Sequence, residues 1–317
     1  MHCELVVPGL FAAGAGSRFA SLELLLARGH SRAAPSQRLE EWLQEAFDLG
    51  EGPFPAGALT LLACGGDPAE ASWARADPVH LRLMRDHVVL VPSAGFELSA
   101  SEASALCDAL NRHFGGLKFT ACEPRRWCVT PAEAIESPNP LELAGRVIDP
   151  RGSTAPLLNE VQMVLHAHPI NEAREARGEP TVNSLWLWGA GSAKHARCDW
   201  QSVAADDPAV LGAARLAGAR HRPLPASGRD WLERLPADGR HLAVLDALRV
   251  RLALGEEPAL DELEKQWFEP LLAALRSGRI GMLTVHVPDG AEALSFETVR
   301  GDLRRFWRMA KSIEHYA

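Results

Sequence analysis

The side chains best suited to chemistry concentrate between positions 159 and 191, where His168, Asn171, Arg174, Arg177 and Asn183 stand close together in the chain. Pro169 lacks a backbone donor and disfavours the helical conformation at His168, so it ends one helix and can open a second, short one that Gly178 stops. Arg174 and Arg177, three residues apart on that second helix, project to one face. Two guanidinium forks so placed can grip a phosphate or a carboxylate bidentately. The competing reading pairs them with Glu172 and Glu175 on a solvated face. His166 and His168 diverge by about 200° on a helix and share a face only on a strand. A capping or hydrogen-bonding role for one of them is therefore expected, with no metal site. Gly189 and Gly191 follow the strand-like run Leu185-Trp186-Leu187-Trp188 and could bring backbone amides near a phosphate, but no third glycine completes a nucleotide-binding fingerprint. Core packing is the expectation for the two Trp residues.

A second polar cluster is Asp77-Pro78-Val79-His80-Leu81-Arg82, followed by Arg85 and Asp86. Asp77 before Pro78 suggests a helix cap, with His80 and Arg82 available to a cleft. Convergence of the two clusters in space would make an anion-binding cleft. Near the C-terminus Arg300, Arg304, Arg308 and Lys311 repeat at helical spacing, as a solvated basic stripe on a terminal helix would. No GxSxG elbow, P-loop, HExxH or Rossmann fingerprint is present.

These side chains need a scaffold of interleaved strands and helices. Apolar runs at Leu5–Val7, Leu59–Ala63, Val88–Val91, Leu185–Trp188, His241–Leu245 and Met282–Val287 have strand length. Ser99-Ala100-Ser101-Glu102 is a capping box, after which Ala103, Leu106, Leu110 and Phe114 repeat at helical spacing. Thr130-Pro131-Ala132-Glu133 repeats that device. Leu22–Ala27, Leu39–Phe47, Val244–Leu254, Leu260–Arg276 and Thr298–Ile313 are further expected helices. The order predicts an α/β fold with a central, mostly parallel sheet flanked by helices.

Composition narrows the function classes. The 317 residues are 47% hydrophobic, enough for a sizeable core. The net charge of −8 offers no bulk positive field for nucleic acid or for an anionic membrane, so neither is an expected partner. Only four of the 33 basic residues are Lys, and nine Trp stand against a single Tyr. This skew toward Arg mostly reflects a GC-rich coding sequence. Glu4 stands where a signal peptide would need a basic start and a long apolar run, and no stretch is apolar enough to span a bilayer, so a soluble, cytoplasmic protein is expected. Six cysteines without a CxxC pair read as buried, reduced thiols. The Pro- and Gly-rich stretch 137–156 is the best internal boundary. It separates residues 1–150, with 19 acidic and 12 basic residues, from a nearly neutral 151–317. One continuous domain is the alternative.

The segment from His168 through Gly191, together with Arg75–Asp86, Leu110–Phe114 and Pro124–Trp127, resembles bacterial regulatory proteins of the RpfE type, which are also described as cofactor-independent phosphoglycerate mutases. The same segment is more distantly similar to the archaeal-type, metal-dependent phosphoglycerate mutases of the alkaline-phosphatase superfamily, with their HPVN…R…G…PAN pattern. That resemblance implies a reduced alkaline-phosphatase-like α/β fold. It also implies two divalent metals held by Asp and His, and a Ser or Thr that takes the phosphoryl group. The first strand of such enzymes ends in an Asp-Gly metal motif, whereas Leu5-Val6-Val7-Pro8-Gly9-Leu10 has Pro8 in that place. Asp289 faintly matches a late metal ligand, but no His follows it before His315. Hard divalent ions need several anionic oxygens. The expectation is thus a catalytically degenerate, phosphoglycerate-mutase-like protein with a regulatory or small-anion-binding role and no cofactor. Its partner would be a small phosphorylated or carboxylate ligand, or a protein. The first alternative is a phosphoglycerate mutase that would need Mn²⁺ or Mg²⁺, and the second is a protein-interaction module with no small-molecule ligand.

Overall fold

In the computed structural model the described residues are all but 14–17, 35–37, 133–134, 136, 149–153, 289–292 and 317. The chain begins with β1 (His2–Val6), α1 (Ala20–Arg28), β2 (His30–Ala34) and α2 (Leu39–Ala46). Next come α3 (Ala56–Ala63), β3 (Trp73–Leu83), β4 (Val88–Pro92), α4 (Ala100–His113), β5 (Lys118–Glu123), β6 (Arg126–Thr130), β7 (Val147–Ile148), α5 (Ala155–His166), α6 (Pro169–Ala176) and β8 (Ser184–Gly191). It continues with β9 (Ser202–Ala204), α7 (Pro208–Leu216), β10 (Arg220–Arg222), α8 (Gly228–Glu233), β11 (Arg240–Val244) and α9 (Ala247–Ala253). The last elements are α10 (Leu260–Leu263), which runs through a wider turn into α11 (Glu269–Ser277), then β12 (Met282–Pro288) and β13 (Ala293–Val299).

These elements form two compact units. Residues 1–50, 195–252 and 256–317 make the first, and residues 51–194 with 253–255 make the second. The expected division at residue 150 is therefore not the observed one. The Pro- and Gly-rich stretch falls inside the second unit, because β7 within it pairs with β4. The second unit is an insertion, and local composition does not report where a chain leaves a sheet and returns to it.

The first unit holds a seven-stranded sheet in the order β10-β9-β11-β1-β12-β13-β2. The pairs from β10 to β12 are parallel and those involving β13 are antiparallel. This is the mostly parallel sheet flanked by helices that the strand-helix alternation predicts. Cys3, Leu5 and Val7, Leu283, Val285 and Val287, and Ala243 point to a core completed by Leu22 and Leu25 of α1 and by Phe268, Leu271 and Leu275 at α11. The opposite positions of the same strands carry His2 and Glu4, Thr284 and His286, and Arg240, because successive strand residues face opposite ways.

The second unit is built on an antiparallel sheet, β5-β6-β3-β4-β7, with β8 also paired to β3. Five expectations fail in the local structure. Leu59–Ala63 is the end of helix α3, not a strand: its mostly apolar residues are largely covered, and Gly57 lets the helix lie on β3, where a Cβ would sit 2.4 Å from Ala74. Asp77-Pro78 does not open a helix. It lies inside β3, between β4 and β8, and tertiary pairing overrides the capping signal. Residues 131–132 are not helical either; Thr130 ends β6, and Glu133 lies outside the described residues. In the first unit, 298–313 is not a helix, because Thr298 and Val299 pair with β12 and Asp302 then accepts from the Val299 amide to turn the chain. Val244, expected to begin a helix, ends β11 instead, and α9 starts at Ala247.

Candidate functional site

The sequence-selected residues all lie in the second unit, and the structure shows what each one touches. His168 caps α6, its Nδ1 accepting from the Ile170 amide at 3.2 Å. Burial and the nearby Arg112 lower its pKa. Asn171 is buried and clamps two segments. Its Nδ2 donates to the carbonyls of Leu165 and Val182, and its Oδ1 accepts from the Val182 amide. Asn183 does the same for β3, accepting from the Leu81 amide at 2.7 Å and donating to the Leu81 carbonyl at 2.9 Å.

Arg174 is 2% exposed, and its guanidinium is fully engaged by the protein. Nε donates to the Pro180 carbonyl, Nη2 to the Glu97 carbonyl and Nη1 to Glu102 at 3.1 Å, while the Phe96 ring lies 5.8 Å away. Arg177 is half exposed and makes a bidentate pair with Glu179, reaching Glu102 as well. The two arginines do grip carboxylates, but these belong to Glu102 and Glu179, not to the expected Glu172 and Glu175. Burial works against ionisation of Glu102, but hydrogen bonds from Ser99 and Arg174 outweigh it and lower its pKa.

Asp77 is buried in β3. Its Oδ1 accepts from Nε and Nη2 of Arg75, and its Oδ2 from the Trp188 indole at 2.8 Å. His80 bonds through Nδ1 to the Thr181 carbonyl, and Arg82 is exposed at the far end of the strand. Strand geometry thus sets Asp77 and His80 on opposite faces of β3, with Asn183 on the Leu81 backbone, whereas Arg174 and Arg177 face Glu102. Gly189 and Gly191 serve packing: a Cβ at either would press on Ala56 or Pro55 at the start of α3, at 2.6 and 3.1 Å. Of the cysteines, Cys3, Cys107 and Cys128 are buried, but Cys64 is exposed and Cys122 and Cys198 are half-buried, so the buried-thiol expectation holds for only three.

Sequence reasoning missed a polar group on the sheet of the first unit. Glu4 of β1 is 2% exposed. It accepts from Arg240 Nε at 2.9 Å and bonds His286 Nε2 at 3.2 Å, with His2 Nδ1 3.7 Å away. Burial opposes its ionisation, but the hydrogen bonds from His286 and Arg240 prevail and hold its pKa at about 2. Ser295 Oγ lies 2.8 Å from His286 Nδ1, directly across the β12–β13 pair. Glu4, Arg240, His286 and Ser295 line a cleft of about 380 Å³ together with Trp42 and Trp200. The Trp200 Nε1 donor is buried with no hydrogen-bond partner. The only sequence signal for this group is polar residues at alternate positions of otherwise apolar strands.

A third arrangement sits where the parallel strands end. Pro8 follows β1, Asp206 and Asp207 follow β9, and Asp246 follows β11. Asp207 caps α7 and Asp206 accepts from the Leu224 amide. Asp246 is held by Arg249, Nε to Oδ1 at 2.7 Å, and the same guanidinium holds Glu40 at 3.0 Å. Although burial favours its neutral form, those two carboxylates keep Arg249 cationic. Among the described residues no three His, Cys, Asp or Glu side chains are placed to hold a metal ion, and Asp289 lies outside them. Nor is any described helix long and apolar enough to cross a membrane.

This geometry can be set beside known proteins. Over 134 residues, 37% of its length, the chain is 27% identical to the 2,3-bisphosphoglycerate-independent phosphoglycerate mutase of Methanosarcina mazei. It thus carries a distant, phosphoglycerate-mutase-like similarity that spans about a third (34%) of the relative's length. Its fold is shared with the PH0037 protein from Pyrococcus horikoshii, at a TM-score of 0.56 and 14% identity over 94% of this chain and 87% of that one. A cofactor-independent phosphoglycerate mutase from Thermoplasma acidophilum aligns over 95% of this chain and 90% of its own, at 18% identity and a TM-score of 0.41. No protein-family model matches the chain.

Proposed function

We propose that this chain is a phosphoglycerate-mutase-like protein of the RpfE type that has given up metal-dependent phosphoryl transfer and acts as a regulatory, small-anion-binding protein. The observation that carries the reading is the Arg249 clamp. Where the resemblance places a metal-binding Asp, Pro8 offers no ligand side chain, and the carboxylate that follows the neighbouring strand β11, Asp246, is held together with Glu40 by the Arg249 guanidinium. A mostly buried cation already compensates these two carboxylates, so the residues present do not suit a divalent metal. The ligand part of the reading moves away from Arg174 and Arg177, which are committed to the protein's own carboxylates. It rests on the cleft beside Arg240, which is also paired with Glu4 and Asp199 but keeps an exposed side, and on the buried Trp200 indole donor, which lacks an acceptor.

Pure protein assayed with 3-phosphoglycerate should show no mutase turnover with or without Mn²⁺ or Mg²⁺. Clear metal-dependent turnover would instead establish the enzyme. Titration with 3-phosphoglycerate should raise the melting temperature, and Trp200→Phe, which keeps a ring and removes the donor, should diminish that rise. An unchanged melting temperature in the wild type would favour the protein-interaction reading.

A further inference from the structure

We propose that residues 304–311 form a docking finger for an anionic lipid surface. In the first unit the large apolar side chains left exposed among the described residues are Phe306, Trp307 and Met309, at 77, 67 and 78% exposure. They are neighbours in one short stretch, with the Phe306 and Trp307 rings edge to face at 5.2 Å. Monomeric proteins rarely leave such side chains clustered in water without a use for them. Exposed Arg304, Arg308 and Lys311 stand among them.

The base of the finger is tied down. Arg305 pairs with Asp302 at 2.8 Å and Arg308 donates to the Gly29 carbonyl at 2.8 Å, while Ile313 is buried in the main core just beyond. Asp302 is itself buried, so between residues 303 and 313 the finger presents cations and no carboxylate; the exposed Glu314 lies beyond it. The apolar tips are thus held outward on an anchored loop.

Charge complementarity selects the occupant. Trp and Phe rings favour the boundary between headgroups and acyl chains, and Arg or Lys beside them meets lipid phosphate. The whole-chain charge of −8 argues against general attraction to such a surface. The finger is a local exception, and contact at one point from an otherwise acidic protein implies binding that is weak, reversible and sensitive to salt.

The full-length protein should co-sediment with phosphatidylcholine vesicles containing phosphatidylglycerol and not with phosphatidylcholine alone. Phe306→Ser with Trp307→Ser should weaken that binding by about tenfold or more, and Arg304→Glu with Lys311→Glu should do likewise. Because the four side chains are exposed, all variants should melt with the wild type, which separates loss of docking from loss of fold. A blue shift of Trp emission on vesicle addition should disappear in Trp307→Phe. Wild-type protein that ignores anionic vesicles, or variants that bind them as well as wild type, would overturn the proposal. So would a wild-type dimer in the absence of lipid that the Phe306/Trp307 variant turns into a monomer, since a second copy would then cover the finger.

Discussion

Buried polar groups in the two units use the same chemistry to different ends. In the second unit Arg174 and Asp77 are closed systems. Nε and both Nη groups of Arg174, and both oxygens of Asp77, meet protein atoms, and burial shuts both residues off from solvent. In the first unit Glu4 is equally buried and equally well bonded, yet its partners Arg240 and His286 line a cleft. A strongly bonded charge is therefore no sign of function by itself. What distinguishes the groups is whether the partners have a second side that faces open space.

Substitutions can test that contrast. The largest expected loss is for Arg174→Ala, which removes a buried cation from Glu102 and from two carbonyls and should cost about 3–5 kcal/mol of stability, read as a lower denaturant midpoint. Ligand response should be unaffected in any variant that still folds. A change in ligand response without a loss of stability would mean that the group is not closed.

Next comes Glu4. Its folded pKa lies below its ordinary value of 4.5, so its contribution is complete above about pH 4.5 and disappears as pH falls toward 2. The shift corresponds to about 3 kcal/mol at neutral pH. Glu4→Gln should lower stability at pH 7 and flatten the acid limb between pH 4.5 and 2. An acid limb as steep as that of the wild type would show that other carboxylates dominate it. The smallest effect is expected for Arg177→Ala, whose solvent-facing pair with Glu179 should leave the melting temperature within error of the wild type.

Much of the first unit is legible in the sequence because its strands are buried on the core side and its helices are amphipathic. His241–Leu245 and Met282–Val287 match strands to within a residue, Leu5–Val7 overlaps only the end of β1, and in the second unit the Ser99 capping box forms as expected. The failures have physical causes. Asp77-Pro78 carries the local signature of a helix start, but pairing with β8 here, and with β6 and β4 on either side along the strand, holds β3 extended. Ala56–Ala63 is too short and too uniformly apolar to show a period. The cleft escaped notice because its residues come from positions as distant as Glu4, Trp42, Trp200, Arg240 and His286, and no spacing rule joins them. Arg174 and Arg177 hold Glu102, from another helix, and Glu179, just past α6, neither of which the three- and four-residue spacing of a helix points to.

Asn183 carries one more consequence. β8 begins at Ser184, opposite Val79, so beyond that point β3 would present bare Leu81 backbone groups on the β8 side. The Asn183 amide takes both of them, one as acceptor and one as donor, and so imitates a further residue of strand. An uncapped margin of this kind is a template for a neighbouring molecule to pair with. A single side chain thus closes the pair of backbone groups that the end of β8 leaves open.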